Sequence, residues 1–160
     1  MIWRLLRSDL VARTRPGGYT KGQPNGKCLQ RSMRIDAHQH FWNYEPAEYP
    51  WMTERLASIR QNFLPVDLER AQAKIGLNGS IAVQARQSLK ESRWLLELAD
   101  RHPLIHGVVG WVDLQSDEVE RQLAEFAPHP KFVGVRHVVQ DEPDDNFMLR
   151  PAFLDRKSVV

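Results

Sequence analysis

His38 and His40 stand two residues apart in the run Arg34-Ile-Asp-Ala-His-Gln-His40, whose apolar and polar residues alternate as they do in a short β-strand. Successive side chains of a strand point to opposite faces. Both imidazoles therefore project from one face, close enough to share one metal ion or one substrate group, and Asp36 falls on that face too. An isolated His-x-His recurs by chance, and two exposed histidines beside a loop would look the same, so the pair needs support from the elements around it.

Those elements can be placed from periodicity. An aromatic, proline-containing loop runs on through Trp51, and residues 66–75 then put Leu68, Ala71 and Ile75 at helical spacing, closed by Gly76 and Gly79. Residues 80–85 read as a second strand. Ser88 and Glu91 have capping-box spacing, and Leu95, Leu98 and Ala99 continue an apolar helix face that ends at Pro103. A third strand spans 105–112. Ser116 caps a third helix carrying Val119, Leu123, Phe126 and Ala127, and residues 132–139 form a fourth strand. Strand and helix alternate with lengths that suit right-handed βαβ crossovers and a parallel sheet. A doubly wound sheet would place phosphate-binding glycines after its first strand, where this chain has His38, Gln39, His40 and Phe41. The α/β class is thus best met by a (β/α)₈ TIM barrel.

Every second residue at the carboxyl end of each strand is polar or aromatic. The second strand offers Gln84 and Arg86, the third Trp111 and Asp113, the fourth Arg136. The alternate residues Val83, Val108 and Val135 are expected to face the helix layer. Barrel active sites lie at the carboxyl ends of the strands, and unpaired polar groups there would cost several kcal/mol if they were plain packing. Arg86, Trp111, Asp113 and the loop residue Trp42 are the candidate substrate contacts. Trp42, Tyr44, Tyr49 and Trp51 read equally as a lid over the mouth or as satellite packing. His137 has the opposite parity to Arg136 and is read as a loop or supporting residue, and His102, His106 and His129 as structural.

Composition narrows the function classes. The chain has 160 residues, 42% of them hydrophobic, and a net charge of +2. Its basic residues cluster at the start, where seven Lys and Arg face Asp9 alone, which leaves 15 basic and 19 acidic residues from Met33 onward. A mildly acidic body argues against nucleic acid as a partner, because such binding needs a basic stripe on the folded surface. Cys28 is the one cysteine, which excludes an internal disulfide and suits a reducing, cytoplasmic compartment. No apolar run approaches the roughly 20 residues that span a bilayer, so no membrane partner is expected. Residues 1–32, with Pro16, Gly17, Gly18, Gly22, Pro24 and Gly26, read as a disordered basic leader.

Asp36-Ala-His-Gln-His-Phe-Trp42 followed by Tyr49-Pro-Trp-Met52 resembles the opening of the amidohydrolase-2 family, in its branch of L-fuconolactone and L-rhamnonolactone hydrolases. Val83-Gln-Ala85, Gly107-Val-Val-Gly-Trp-Val-Asp113, Gly134-Val-Arg-His137 and Phe147-Met-Leu-Arg-Pro151 extend the likeness, which makes 33–156 the N-terminal half of such a barrel and 157–160 a tail outside the pattern. The resemblance implies a metal-dependent hydrolase fold truncated to about four βα units, since a whole barrel takes roughly 250 residues. It implies hydrolysis of a small sugar-acid lactone, with His38 and His40 on one divalent ion such as zinc. Arg136 and Gln84 would be the catalytic groups, Arg136 stabilising the oxyanion as water attacks. Further metal-binding histidines and a catalytic aspartate belong to later strands, so weak metal binding and little turnover are expected of the 160 residues. Open sheet edges would favour self-association. Two rivals stand beside this reading: a decarboxylase or carbon-carbon hydrolase on the same barrel, and a non-catalytic barrel fragment.

Overall fold

The alternating apolar runs become strands, and the amphipathic stretches between them become helices that cover one face of the sheet. The computed structural model describes residues 2–4 and 33–157. Its strands are β1 (Ile2–Arg4), β2 (Ile35–Gln39), β3 (Gly79–Val83), β4 (Ile105–Gly110) and β5 (Phe132–Arg136). Its α-helices are α1 (Pro65–Ile75), α2 (Leu89–Arg101), α3 (Val119–Phe126) and α4 (Pro151–Lys157). The sheet order is β1-β5-β4-β3-β2, with β2 to β5 mutually parallel and adjacent in chain order. A doubly wound sheet reverses its order at a switch point; this one runs on without reversal, as consecutive barrel strands do.

β1 pairs antiparallel with β5, Trp3 opposite Val135. The expected disorder of 1–32 therefore does not extend to Ile2–Arg4, and the rest of that expectation lies outside the described residues. So do 158–160 of the expected tail, while Lys157 closes α4. The β5 edge, expected to be open, is occupied, because a free row of backbone amides and carbonyls takes up an available strand. The pairing of β2 recorded among the described residues is with β3 alone.

The core lies between sheet and helices. Ala82, Ile105, Val108, Phe132 and Val135 pack against Leu95, Leu98, Ala99, Leu123 and Phe126, all buried. Each of the Val, Ile, Leu and Phe side chains among them contributes about 1.5–3 kcal/mol on burial. One expectation shifts here: Ala82, not Val83, joins this helix-side cluster. Ala82 lies in register with Val108, whereas Val83 pairs with Val109, which is also outside the cluster. Val108 and Val135 face the helices as expected, Val135 despite a register shift between Val108 and Val109. Gly110 permits the tight packing, since a Cβ there would come within 2.9 Å of both Phe132 Cε2 and Ser92 Oγ.

Helix ends follow local chemistry. α1 has proline in its first turn, the Asp67 carboxylate accepts the Leu64 amide at 3.1 Å, and Gly76 closes the helix in the left-handed region at φ 71°. The capping box expected at Ser88 is absent: the Ser88 side chain makes no cap bond, and Glu91 turns instead to the preceding loop. Ser116 likewise precedes α3 by a turn, where its hydroxyl accepts the Glu118 amide at 3.1 Å.

Candidate active site

The carboxyl ends of β2, β3 and β5, with the loops after them, enclose a cavity of about 660 Å³. Its lining includes His40, Trp42, Trp51, Arg86 and Arg136.

The two histidines meet as their spacing requires. His40 Nδ1 lies 2.8 Å from the Val83 carbonyl, an acceptor only, so Nδ1 carries the proton and Nε2 keeps its lone pair. His38 Nε2 is 3.1 Å from that atom. Burial lowers the pKa of both imidazoles, with Arg136 as the next cause at His38 and the Val83 bond opposing it at His40. Neutral imidazole is the form that ligates metal. Two nitrogens bound tetrahedrally to one zinc at ~2.0–2.1 Å lie about 3.3 Å apart, so the pair fits as two ligands of one ion. Among the described residues no group of three or more His, Cys, Asp or Glu side chains is placed to hold a metal. Asp36 is turned to its own chain, where its carboxylate accepts the His38 amide at 3.0 Å.

Arg136 and Gln84 are cross-tied. Arg136 Nη1 donates to the Gln84 carbonyl at 3.2 Å, and Gln84 Nε2 donates to the Arg136 carbonyl at 3.0 Å. Burial lowers the Arg136 pKa and Asp141 opposes it, but the guanidinium stays a cation at any working pH. Gln84, expected beside Arg136 as a catalytic group, is fully buried and does not line the cavity. It shares parity with Ala82 on the strand, and what it does in the structure is hold the β5 end in place.

Of the four candidate substrate contacts, Trp42 and Arg86 line the cavity while Trp111 and Asp113 do not. Both backbone groups of Trp111 bond to Ser92 Oγ, at 2.7 and 2.8 Å. The Asp113 carboxylate accepts the Gln115 amide at 3.0 Å in a local turn. The aromatic loop is a packed wall. Trp42, Tyr49 and Met52 are buried together with Phe63 against them, Trp42 Nε1 donates to the Gln61 carbonyl at 2.8 Å, and Trp51, 39% exposed, faces the opening. His137 is buried away from the mouth, stacked on Phe147 at 4.7 Å and 2.6 Å from Glu142.

Sequence reasoning missed Glu48, Gln87, Gln140 and Asp141, which also line the cavity. All lie between a strand and the next α-helix, Gln140 and Asp141 in the short 3-10 turn Val139–Asp141, so the rule that barrel sites gather there would have flagged them had it been carried further past the strand ends. It missed Glu91 as well, by reading it as a cap. Glu91 is fully buried; its Oε2 accepts the Ala85 amide at 3.1 Å and the Arg86 amide at 2.9 Å. Burial pushes its pKa up to about 7 against the pull of those amides and of Arg86. Tyr49, beside it, is raised by burial and by the Glu91 charge.

Residues 35–156 match the Amidohydrolase family Amidohydro_2. The chain is 38% identical over 120 residues to an L-fucono-1,5-lactonase of Burkholderia ambifaria, covering 75% of this chain and 41% of that protein. It is 42% identical over 113 residues to an L-fucono-1,5-lactonase of Burkholderia multivorans, covering 71% and 38%. Among solved structures, an amidohydrolase from Burkholderia multivorans with bound Zn superposes with a TM-score of 0.74 at 39% identity, over 78% of this chain and 44% of that one. An amidohydrolase from Bifidobacterium longum subsp. infantis, at 23% identity and a TM-score of 0.54, shares the fold. The chain spans about two-fifths of the length of the curated relatives it matches. Its sheet is the partial counterpart of their barrel, and the chain belongs to the amidohydrolase family.

Proposed function

We propose that this protein is a hydrolase of a small sugar-acid lactone such as L-fucono-1,5-lactone. The observation that carries the reading is the shared cavity of His40, Arg86 and Arg136, with His38 on His40, in a chain similar to two L-fucono-1,5-lactonases. Hydrolysis adds water to the carbonyl carbon, breaks the ring C–O bond and releases a hydroxy acid.

Arg136 has the position and charge to donate to the carbonyl oxygen as it becomes an oxyanion, and its tie to Gln84 fixes it before substrate arrives. Trp42 and Trp51 offer apolar faces to the sugar ring, and Arg86 and Glu48 offer a donor and acceptors to its hydroxyls. His38 and His40 would hold a divalent cation, zinc by likeness to the solved relative with bound Zn, through their two Nε2 atoms. Such an ion supplies Lewis acidity at the carbonyl and lowers the pKa of water. Without it the same two imidazoles, held neutral by burial, can hydrogen-bond the substrate. Gln84 supports Arg136 from behind, and the Asp113 carboxylate is engaged in a local turn.

No helix among the described residues is long and apolar enough to cross a membrane. The lone Cys28 supports a reducing compartment, the cytoplasm, and a second copy pairing along β2 is the form self-association would take. The test is hydrolysis of L-fucono-1,5-lactone by the purified chain, with and without added zinc, beside an aromatic carboxylate. Lactone opening that is lost in Arg136→Ala supports the reading. Turnover of the aromatic carboxylate alone would move the assignment to carbon-carbon chemistry.

A further inference from the structure

Glu91 is a carboxylate buried where a neutral side chain would have served the backbone. Its Oε2 accepts the amides of Ala85 and Arg86, and a glutamine oxygen could do the same without the several kcal/mol that burying a charge costs. What a neutral group cannot do is attract a cation. Glu91 Oε1 lies 3.8 Å from Arg86 Nε, a charge contact beyond hydrogen-bond range, and Arg86 Nε is buried with no other partner. On its other side Arg86 Nη1 meets Glu48 Oε2 at 2.6 Å, and Glu48 is held in turn by Lys90 at 2.8 Å. The guanidinium also lies 5.2 Å over the Tyr49 ring, whose hydroxyl is 3.5 Å from Glu91 Oε1. Backbone, charge and ring thus hold Arg86 from three sides, and Arg86 and Glu48 both line the cavity.

We propose that Glu91 is a positioning residue that sets Arg86, and through it the Arg86–Glu48 pair, as a rigid donor and acceptor edge for vicinal hydroxyls of a polyhydroxylated ring. This rests on the reading of the cavity as a sugar-lactone site. A guanidinium with its rotamers already fixed loses less entropy on binding, so the benefit falls on affinity rather than on the chemical step.

The test combines NMR of the full chain with kinetics on L-fucono-1,5-lactone, both at about pH 8, where Glu91 is ionised. Glu91→Gln keeps an amide acceptor but removes the charge, and Glu91→Asp keeps the charge one methylene short. In either variant the Arg86 Nε–Hε signal should broaden or shift and exchange faster with water. KM should rise about tenfold with kcat within about twofold, the signature of lost binding rather than lost transition-state contact. In an Arg86→Ala background, Glu91→Gln should add less than about twofold, since the two act as one unit. A residue that only fastens the turn would raise KM equally in both backgrounds, and that result, or an unchanged Arg86 Nε–Hε signal in both Glu91 variants, overturns the proposal. If the wild-type chain does not open the lactone, the function proposed above fails, and the NMR comparison still decides whether Glu91 sets Arg86.

Discussion

Replacing Glu91 by glutamine should change how stability depends on pH, and the structure gives the size of the change. Burial raises the folded-state pKa of Glu91 from its ordinary 4.5 to about 7. The folded protein therefore binds this proton more tightly than the unfolded chain. Its stabilising contribution is complete below pH 4.5, is lost as pH rises through 7, and stays lost above that. At roughly 1.4 kcal/mol per pH unit, the full loss is about 3 kcal/mol, a large share of the 5–15 kcal/mol that holds a typical domain. Urea unfolding at intervals from pH 4.5 to 8.5 measures it. Other groups titrate in both proteins, so the wild-type minus Glu91→Gln difference isolates this one. That difference should fall by about 3 kcal/mol across the window, nearly all of it between pH 4.5 and 7, and level off above about pH 7. Parallel curves for the two proteins would refute the reasoning, since they would mean that the two amides and Arg86 offset burial completely and that the Glu91 pKa is not raised.

Other consequences follow from the same contacts. Arg136→Ala should lower kcat on L-fucono-1,5-lactone by about 10²–10³-fold with a small change in KM, measured by steady-state kinetics, the outcome expected of a donor to the developing oxyanion. His40→Ala should abolish zinc-linked stabilisation, which for the wild type at a hundred times Kd is about 2.7 kcal/mol in a denaturation assay. Phe132→Ala should cost about 3–5 kcal/mol in urea unfolding, since the ring is 1% exposed and packs on Phe126 at 5.4 Å.

The parts of the fold that depend on repeated local patterns were legible in the sequence. Apolar residues at 95, 98 and 99 and at 119, 123 and 126 mark the buried faces of α2 and α3, and the β-branched runs mark the strands. The order of β2 to β5 follows from short crossovers of one hand. What could not be read was anything fixed by tertiary competition. Glu91 has the spacing of a helix cap, yet two backbone amides and a guanidinium claim it. Gln84 and Arg86 look alike by alternation, but β3 ends at Val83 and the chain then turns, so Arg86 reaches the cavity while Gln84 points into the packing. Trp111 and Asp113 have the right parity past the end of β4, yet neither lines the cavity: the Trp111 backbone is tied to Ser92 and the Asp113 carboxylate to a local turn. The pairing of Ile2–Arg4 on β5 joins residues more than a hundred positions apart, which no local pattern can announce.

In the proposed site, side chains from three strand ends, His40, Arg86 and Arg136, serve one ligand in one cavity. Titrating the chain with L-fuconate, the hydroxy acid released from L-fucono-1,5-lactone, while following side-chain nitrogen signals by NMR tests this most directly. The signals of all three residues should move together along a single binding curve, and that curve should disappear in Arg136→Ala. Signals that move at separate concentrations, or a response confined to residues outside the cavity, would contradict it.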